Sequence, residues 1–423
     1  MRVSKLKALI LFGVPMAIGL AVPALHYWIQ SAESRRWEEM RSQLTKMARE
    51  ARARDVRRPV LRGEALPGNA WDDYAEILSV KLSALYPAFA YLESDSSTDR
   101  AKMESLVGLH ASTLQAIRRG ATRATADRRV EWEEGWPLQA NVASYVSALS
   151  AVQARFLLEQ GRVREAMELL LDTSQFALDS ARNVPFEAFS AGFSGLYITS
   201  RELARLIASG RLSQGDLFEI DKELSLLETG FNGIELFMLN ESMAMGFFLL
   251  KHGRIQPLLD RMELRSVNIP TWRLGFSERL MIVDLFEVTL NHNRLIAQSQ
   301  WKPWKELQEI KTEVCRQCCE SRNPLTRILG GSSNGKPPRC ISYDFVRETL
   351  ARLRLVRMSA HYAATGEVPA LEDPFGDKLR SAQTGAELRF WSIGGDGIDN
   401  GGAGEWKPKD GQDIVLKLPL RKD

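Results

Sequence analysis

The chain carries none of the linear signatures of catalysis. There is no H-E-x-x-H, no G-x-S-x-G, no phosphate-binding loop and no dinucleotide fingerprint, so no metalloprotease, serine-hydrolase, nucleotide or nicotinamide chemistry is written in it. Histidine is scarce. His26, His110, His252, His292 and His361 stand alone, none at ligand spacing from another, and lone histidines at helical positions serve packing more often than chemistry. The paired acids Asp72-Asp73 and Glu133-Glu134 flank tryptophans and read as helix starts or solvated faces. No long block carries one sign of charge. The 56 basic and 53 acidic residues are interspersed, for a formal net charge of +3, and this removes the basic footprint of a nucleic-acid partner.

What is present is the composition of a folded protein. With 423 residues, 44% hydrophobic and 26% charged, the chain has material for more than one core. Only one apolar run is long. After the basic start MRVSKLK, Ala8 to Leu25 hold no charged or strongly polar side chain, and Tyr27, Trp28 and Ile29 follow as an interfacial belt would. A spanning helix needs roughly 20 apolar residues, whereas a signal-peptide core takes about 7 to 15. The length predicts an uncleaved anchor in the inner, cytoplasmic membrane; Val22-Pro23-Ala24 keeps a cleaved signal peptide as the competing reading. Pro15 and Pro23 speak against a buried core helix. Arg2, Lys5 and Lys7 place the short N-terminal side in the cytoplasm, although Arg35, Arg36 and Arg41 flank the other end. No later run is long enough to span, so the expectation is a single-pass protein (anchor within 1–30) with its bulk outside the cytoplasm.

Trp37, Met40, Leu44, Met47 and Ala51 recur at spacings of three and four, which predicts an amphipathic stalk helix within 31–68. It packs on its own protein or forms a short coiled coil. The helix should end before Pro59, and Arg58 to Gly68 reads as an extended linker. From 69 to 340 the text is helical. Leu158-EQGR-Val163, Ile207-ASGR-Leu212 and Leu250-KHGR-Ile255 share one phrase, with glycine where a helix end turns left-handed and an aliphatic residue to cap it. Antiparallel helix pairs joined by tight turns follow. Their spacing is uneven, so the array is irregular. Leu158 to Leu170 resembles the turn of a tetratricopeptide-type hairpin, but the rest of that repeat is missing. The apolar stripes make either plain bundle core or a peptide-binding groove.

All four cysteines, Cys315, Cys318, Cys319 and Cys340, fall close together. Outside the cytoplasm this predicts disulfides, with three connectivities open; a bond to Cys340 would staple the loop from Glu320 to Arg339. Bridging adjacent Cys318 and Cys319 to each other is strained. A four-thiolate zinc site competes but lacks its second C-x-x-C half, and unpaired buried thiols are the third reading.

The text changes again over 341–423. Helical period runs from Tyr343 to Thr365 and Gly366 ends it before Pro369. Lys378 to Ser381, Glu387 to Ile393 and Asp413 to Leu418 read as a small antiparallel sheet packed on that helix. Between the last two strands lies a glycine-rich loop with Asp396, Asp399, Asp410 and Asp413. The order helix, H-Y-A-A-T-G-E-V-P, D-P-F-G-D-K-L, strand, S-I-G-G-D-G-I-D-N-G-G and Q-D-I resembles the C-terminal half of the major pseudopilins of type II secretion systems. In that family the loop is a calcium site. The resemblance puts Asp396 and Asp413 on liganding aspartates, Ile393 on a backbone-carbonyl ligand and Asp399 near an acidic position, with Asp373-Pro374-Phe375-Gly376 on the family's D-P-W-G turn. Calcium takes about six to eight oxygens in flexible geometry, which suits aspartates among glycines, while Asp-Gly pairs are also ordinary turn residues.

The expected architecture is therefore mainly α: a membrane anchor, a helical array and a small α+β module. The expected function is a non-enzymatic envelope scaffold that contacts other envelope proteins, with a calcium-stabilised C-terminal module. An accessory factor of a type II secretion or pilus-like system is the first alternative. An extracytoplasmic hydrolase without a linear motif is the second.

Overall fold

The computed structural model describes residues 14–54, 57–94, 100–130, 132, 142–182, 184, 186–231, 237–261, 278–299, 301–320, 344–408 and 412–420. The protein is mainly α-helical, with a small sheet near its C-terminus. The first helix, α1, runs from Val14 to Arg52. A two-stranded ribbon then frames the next helices, with β1 at Leu66–Asn69, α2 at Ala70–Leu78, α3 at Leu82–Ser94, α4 at Arg100–Leu109, α5 at Ala111–Ala121 and β2 at Arg123–Thr125. The array continues with α6 (Val142–Glu159), α7 (Val163–Ala181), α8 (Phe186–Ala208), α9 (Gln214–Thr229), α10 (Phe237–His252) and α11 (Gln256–Arg261). After α12 (Glu278–Ser299) and α13 (Trp304–Glu320) comes α14 (Asp344–Thr365), and the sheet closes the chain with β3 (Arg380–Thr384), β4 (Glu387–Ser392), β5 (Gly404–Glu405) and β6 (Asp413–Pro419).

The seam of α1 packs on its own protein. Trp37, Met40, Leu44, Ala48 and Ala51 are buried with Met47 at their edge, against Met243 and Phe247 of α10 and Ile282 and Phe286 of α12. Residues 14–25 form the first turns of this same helix, whereas residues 8–13 of the expected anchor lie outside the described residues. Among the described residues no helix is long and apolar enough to cross a membrane.

The three repeated phrases turn as their glycines predict. Gly161, Gly210 and Gly253 take φ of 77°, 67° and 63°, a region open to glycine and strained for other residues. The amide of Arg162 returns to the carbonyl of Leu157 at 2.8 Å, so α6 and α7 leave the turn antiparallel. Helices α6, α7 and α8 then form the densest part of the main core.

The stretch Arg58–Gly68 has no regular structure up to Ala65 and then enters strand β1, which the sequence reading did not expect. Strand β1 pairs in parallel with β2, and Arg57 bridges to Thr125. Two of its arginines enter the array. The Arg58 side chain is fully buried, 3.1 Å from the Asp179 carboxylate, and Arg62 meets Glu168, Asp172 and Glu223 at 3.2, 2.7 and 3.8 Å. Asp172, Asp179 and Glu223 are buried within α7 and α9, and these two arginines from the passing segment lie against them.

The C-terminal sheet has the order β3-β4-β6-β5, with β3, β4 and β6 antiparallel and β5 parallel to β6. Phe390 faces Leu416 across β4 and β6 and lies 5.9 Å from the ring of Tyr362 on α14. The main core runs from Leu61 through the central helices into Phe390, Ile414 and Leu418, so those helices and the sheet share one interior, while α1, α10 and α12 build a second. Cys315 is disulfide-bonded. The side chains of Cys318 and Cys319 and the whole of Cys340 and of the loop 321–339 lie outside the described residues.

Candidate functional site

An open groove of about 1070 Å³ lies where the start of α13, the face of α14, the D-P-F-G turn and the Asp/Gly loop meet. Its geometry begins with Trp301-Lys302-Pro303-Trp304. Pro303 precedes the first turn of α13, where a missing N–H costs nothing, and its carbonyl receives the Leu307 amide. Trp301 is left 47% exposed on the rim, while Trp304 is 8% exposed.

Trp304 joins the array to the loop. Its indole N–H donates to the Gly395 carbonyl at 3.1 Å, and its ring meets Phe375 edge-to-face at 4.9 Å. Two cations lie over it, the Lys311 ammonium and the Arg347 guanidinium, each 5.2 Å from the centroid. Arg347, from α14, ties the two walls together by donating to the Pro374 carbonyl at 2.6 Å and the Lys302 carbonyl at 2.5 Å. Burial pushes its pKa down to about 10, which still leaves it charged at neutral pH. The rim is bipolar. Lys302 and Lys305 stand exposed at the α13 end, and Glu372, Asp377 and Asp396 stand exposed on the turn and loop.

The turn is locked by Asp373. Its buried carboxylate accepts from the Phe375 amide at 3.0 Å, the Ser392 hydroxyl at 2.7 Å and the Ile393 amide at 3.0 Å. The loop is locked by its own aspartates. Asp413, buried, accepts from the amides of Asn400 (3.1 Å) and Gly402 (2.8 Å). Burial is the main force pushing its pKa up; the two amides oppose this, and the nearby charges of Asp399 and Asp396 add to it. Asp399 accepts from the Gly401 amide at 2.9 Å and the Trp391 indole at 3.0 Å, and its second oxygen lies 2.9 Å from Arg380 Nε. Those partners, the Gly401 amide foremost, hold it below the usual carboxylate range. Asp396 accepts from the Ile398 amide two residues on. Gly404 allows β5 to lie against β6, since a Cβ there would stand 2.0 Å from the Asp413 carbonyl oxygen.

The structure thus brings Asp396, Asp399 and Asp413 into one electrostatic neighbourhood, held by backbone amides, the Trp391 indole and Arg380. Both oxygens of Asp399 and of Asp413 already receive hydrogen-bond donors. Each carboxylate oxygen has two lone pairs, so Asp399 Oδ2 and Asp413 Oδ1, with one donor apiece, keep acceptor capacity. Among the described residues no three His, Cys, Asp or Glu side chains gather closely enough to hold a metal ion. Asp410 and the pair Glu133-Glu134 lie outside the described residues.

The other sequence candidates take structural partners. Asp73 pairs with Arg123 at 2.6 Å at the start of α2. His252 packs 4.4 Å from Phe248, His292 bonds Gln317, and His361 lies 3.3 Å from Asp221. Sequence reasoning missed Trp304, Arg347 and Arg380. Two tryptophans bracketing Lys-Pro were the available signal for the first; the arginines carry none, because only the fold supplies their acceptors. Comparison with protein-family models, with curated proteins and with solved structures finds no match.

Proposed function

We propose that this protein is a non-enzymatic binding scaffold of the cell envelope, held to the membrane by the apolar segment from Ala8 to Leu25, with its bulk outside the cytoplasm. Its groove takes an extended segment of a partner protein. The observation that carries this reading is the exposed Trp301 beside a groove of about 1070 Å³ whose lining carries both cations and carboxylates. That volume lies at or beyond the upper end of small-molecule sites, about 300 to 1,000 Å³. Tryptophan is enriched among the anchors of protein interfaces, and charges of both signs around it select the partner. The walls are rigid, since Trp304, Arg347, Asp373 and Asp413 fix them, and rigid walls lower the entropy cost of binding. In this reading the Asp/Gly loop is held by its own amides and Arg380 and needs no metal.

The test is selection of peptides from a displayed random library on the immobilised full chain. Enriched peptides should carry an apolar anchor flanked by both signs of charge, and Trp301→Ala should weaken them at least about tenfold, the scale of one interface anchor. Enriched peptides that bind Trp301→Ala as tightly as the parent, or no enrichment at all, would sink the proposal.

A further inference from the structure

A second cavity, about 430 Å³, lies on another face, between α3, α8 and α14. Its floor is aromatic and apolar: Phe89 and Leu92 from α3, Phe193 from α8 and Phe345 from α14, with Phe193 and Phe345 edge-to-face at 5.5 Å. Its charged lining comprises Arg201, Arg352 and Lys407 against one carboxylate, Glu348. The Arg352 side chain is 6% exposed and held rigidly. Its guanidinium lies 5.0 Å from the ring of Tyr197 and 6.0 Å from that of Trp406, Nε donates to the Trp406 carbonyl at 3.2 Å and Nη1 lies 3.1 Å from Glu348. Arg201 shares its partner, Glu202, with the bidentate Arg155 at 2.8 and 2.9 Å.

An aromatic floor beneath a net positive mouth is complementary to one chemistry. We propose that this cavity binds a small arylalkyl carboxylate, its ring against Phe193 and Phe345 and its carboxylate toward Arg352 and Lys407. Ring-on-ring contacts prefer the edge-to-face geometry this floor already uses, and a buried, pre-oriented guanidinium is the side chain best suited to a carboxylate. The volume lies within the range of small-ligand sites. This site is independent of the groove beside Trp301 and does not rest on that reading.

The probe is 4-phenylbutanoate titrated calorimetrically into the full chain, with 4-phenylbutylamine as the same body bearing the opposite charge. The acid is expected to bind with a dissociation constant of roughly 10–500 μM, as its few heavy atoms allow, and the amine at least about tenfold more weakly. Ser194 and Lys407 line the mouth and are exposed, so substitutions there leave the core intact. Ser194→Trp, which fills the cavity, should abolish binding, and Lys407→Glu should weaken the acid at least about fivefold while leaving the melting temperature in place. Equal binding of acid and amine, binding that survives Ser194→Trp, or no heat from the acid would each overturn the assignment.

Discussion

Replacing Glu223 by Gln is expected to leave stability unchanged at pH 4 and to raise it by at least about 2 kcal/mol at pH 8. Burial pushes the Glu223 carboxyl up to about 9; Arg62 opposes this, and Glu219 and Asp172 reinforce it. The sign follows from linkage. Below the unfolded value near 4.5 both states hold the proton and the group is neutral in the balance. As pH rises from there to about 9, the unfolded chain gives up a proton the folded chain keeps, and stability falls by up to about 1.4 kcal/mol per pH unit. Asp172, pushed up to about 6 chiefly by burial, adds a shallower loss that ends near that pH. Glutamine keeps the shape and a donor but has no proton to lose, so the variant escapes the Glu223 loss. Melting temperatures of parent and variant at the two pH values are the check. An equal gap at pH 4 and pH 8, or a variant less stable at pH 8, would mean that Glu223 is ionised and paired with Arg62 at 3.8 Å.

Trp304→Ala is expected to cost about 3–5 kcal/mol, the scale for truncating a buried tryptophan. It removes the contact with Phe375, the indole bond to Gly395 and the ring beneath Lys311 and Arg347 at once. The more discriminating consequence is local. The loop around Gly395–Gly397 should become protease-sensitive before the helical array does, because Trp304 is its tie to α13. A destabilised variant with an uncut loop would show that the tie lies elsewhere. A variant as stable as the parent would remove Trp304 from the architecture of the groove.

The two predictions draw on features that differ in how visible they were beforehand. The helix turns at Gly161, Gly210 and Gly253 and strands β4 and β6 were legible because local chemistry specifies them, a left-handed glycine and a run of apolar residues, whereas the exposed β3 (Arg380–Thr384) overlaps the expected Lys378–Ser381 in two residues only. The parallel pairing of β1 with β2 was not, because its partners are separated by four helices and neither strand alternates. Arg58 and Arg62 fall in the stretch read as an extended linker, and only the folded array reveals the acids they meet. The site was half visible. The aspartates of the loop were found, but what fills their lone pairs is set by backbone amides of Asn400, Gly401 and Gly402 and by Arg380 from another strand. No spacing rule encodes that.

That last point decides how the groove wall is held, and amide hydrogen exchange of the full chain reads it directly. With chelator present, the amides of Asn400, Gly401 and Gly402 should be protected, and added calcium should change their rates by less than about twofold, since the hydrogen bonds to Asp399 and Asp413 exist without it. Amides that exchange freely in chelator and become protected only with calcium would contradict the account. The loop would then be a metal site whose wall forms on binding.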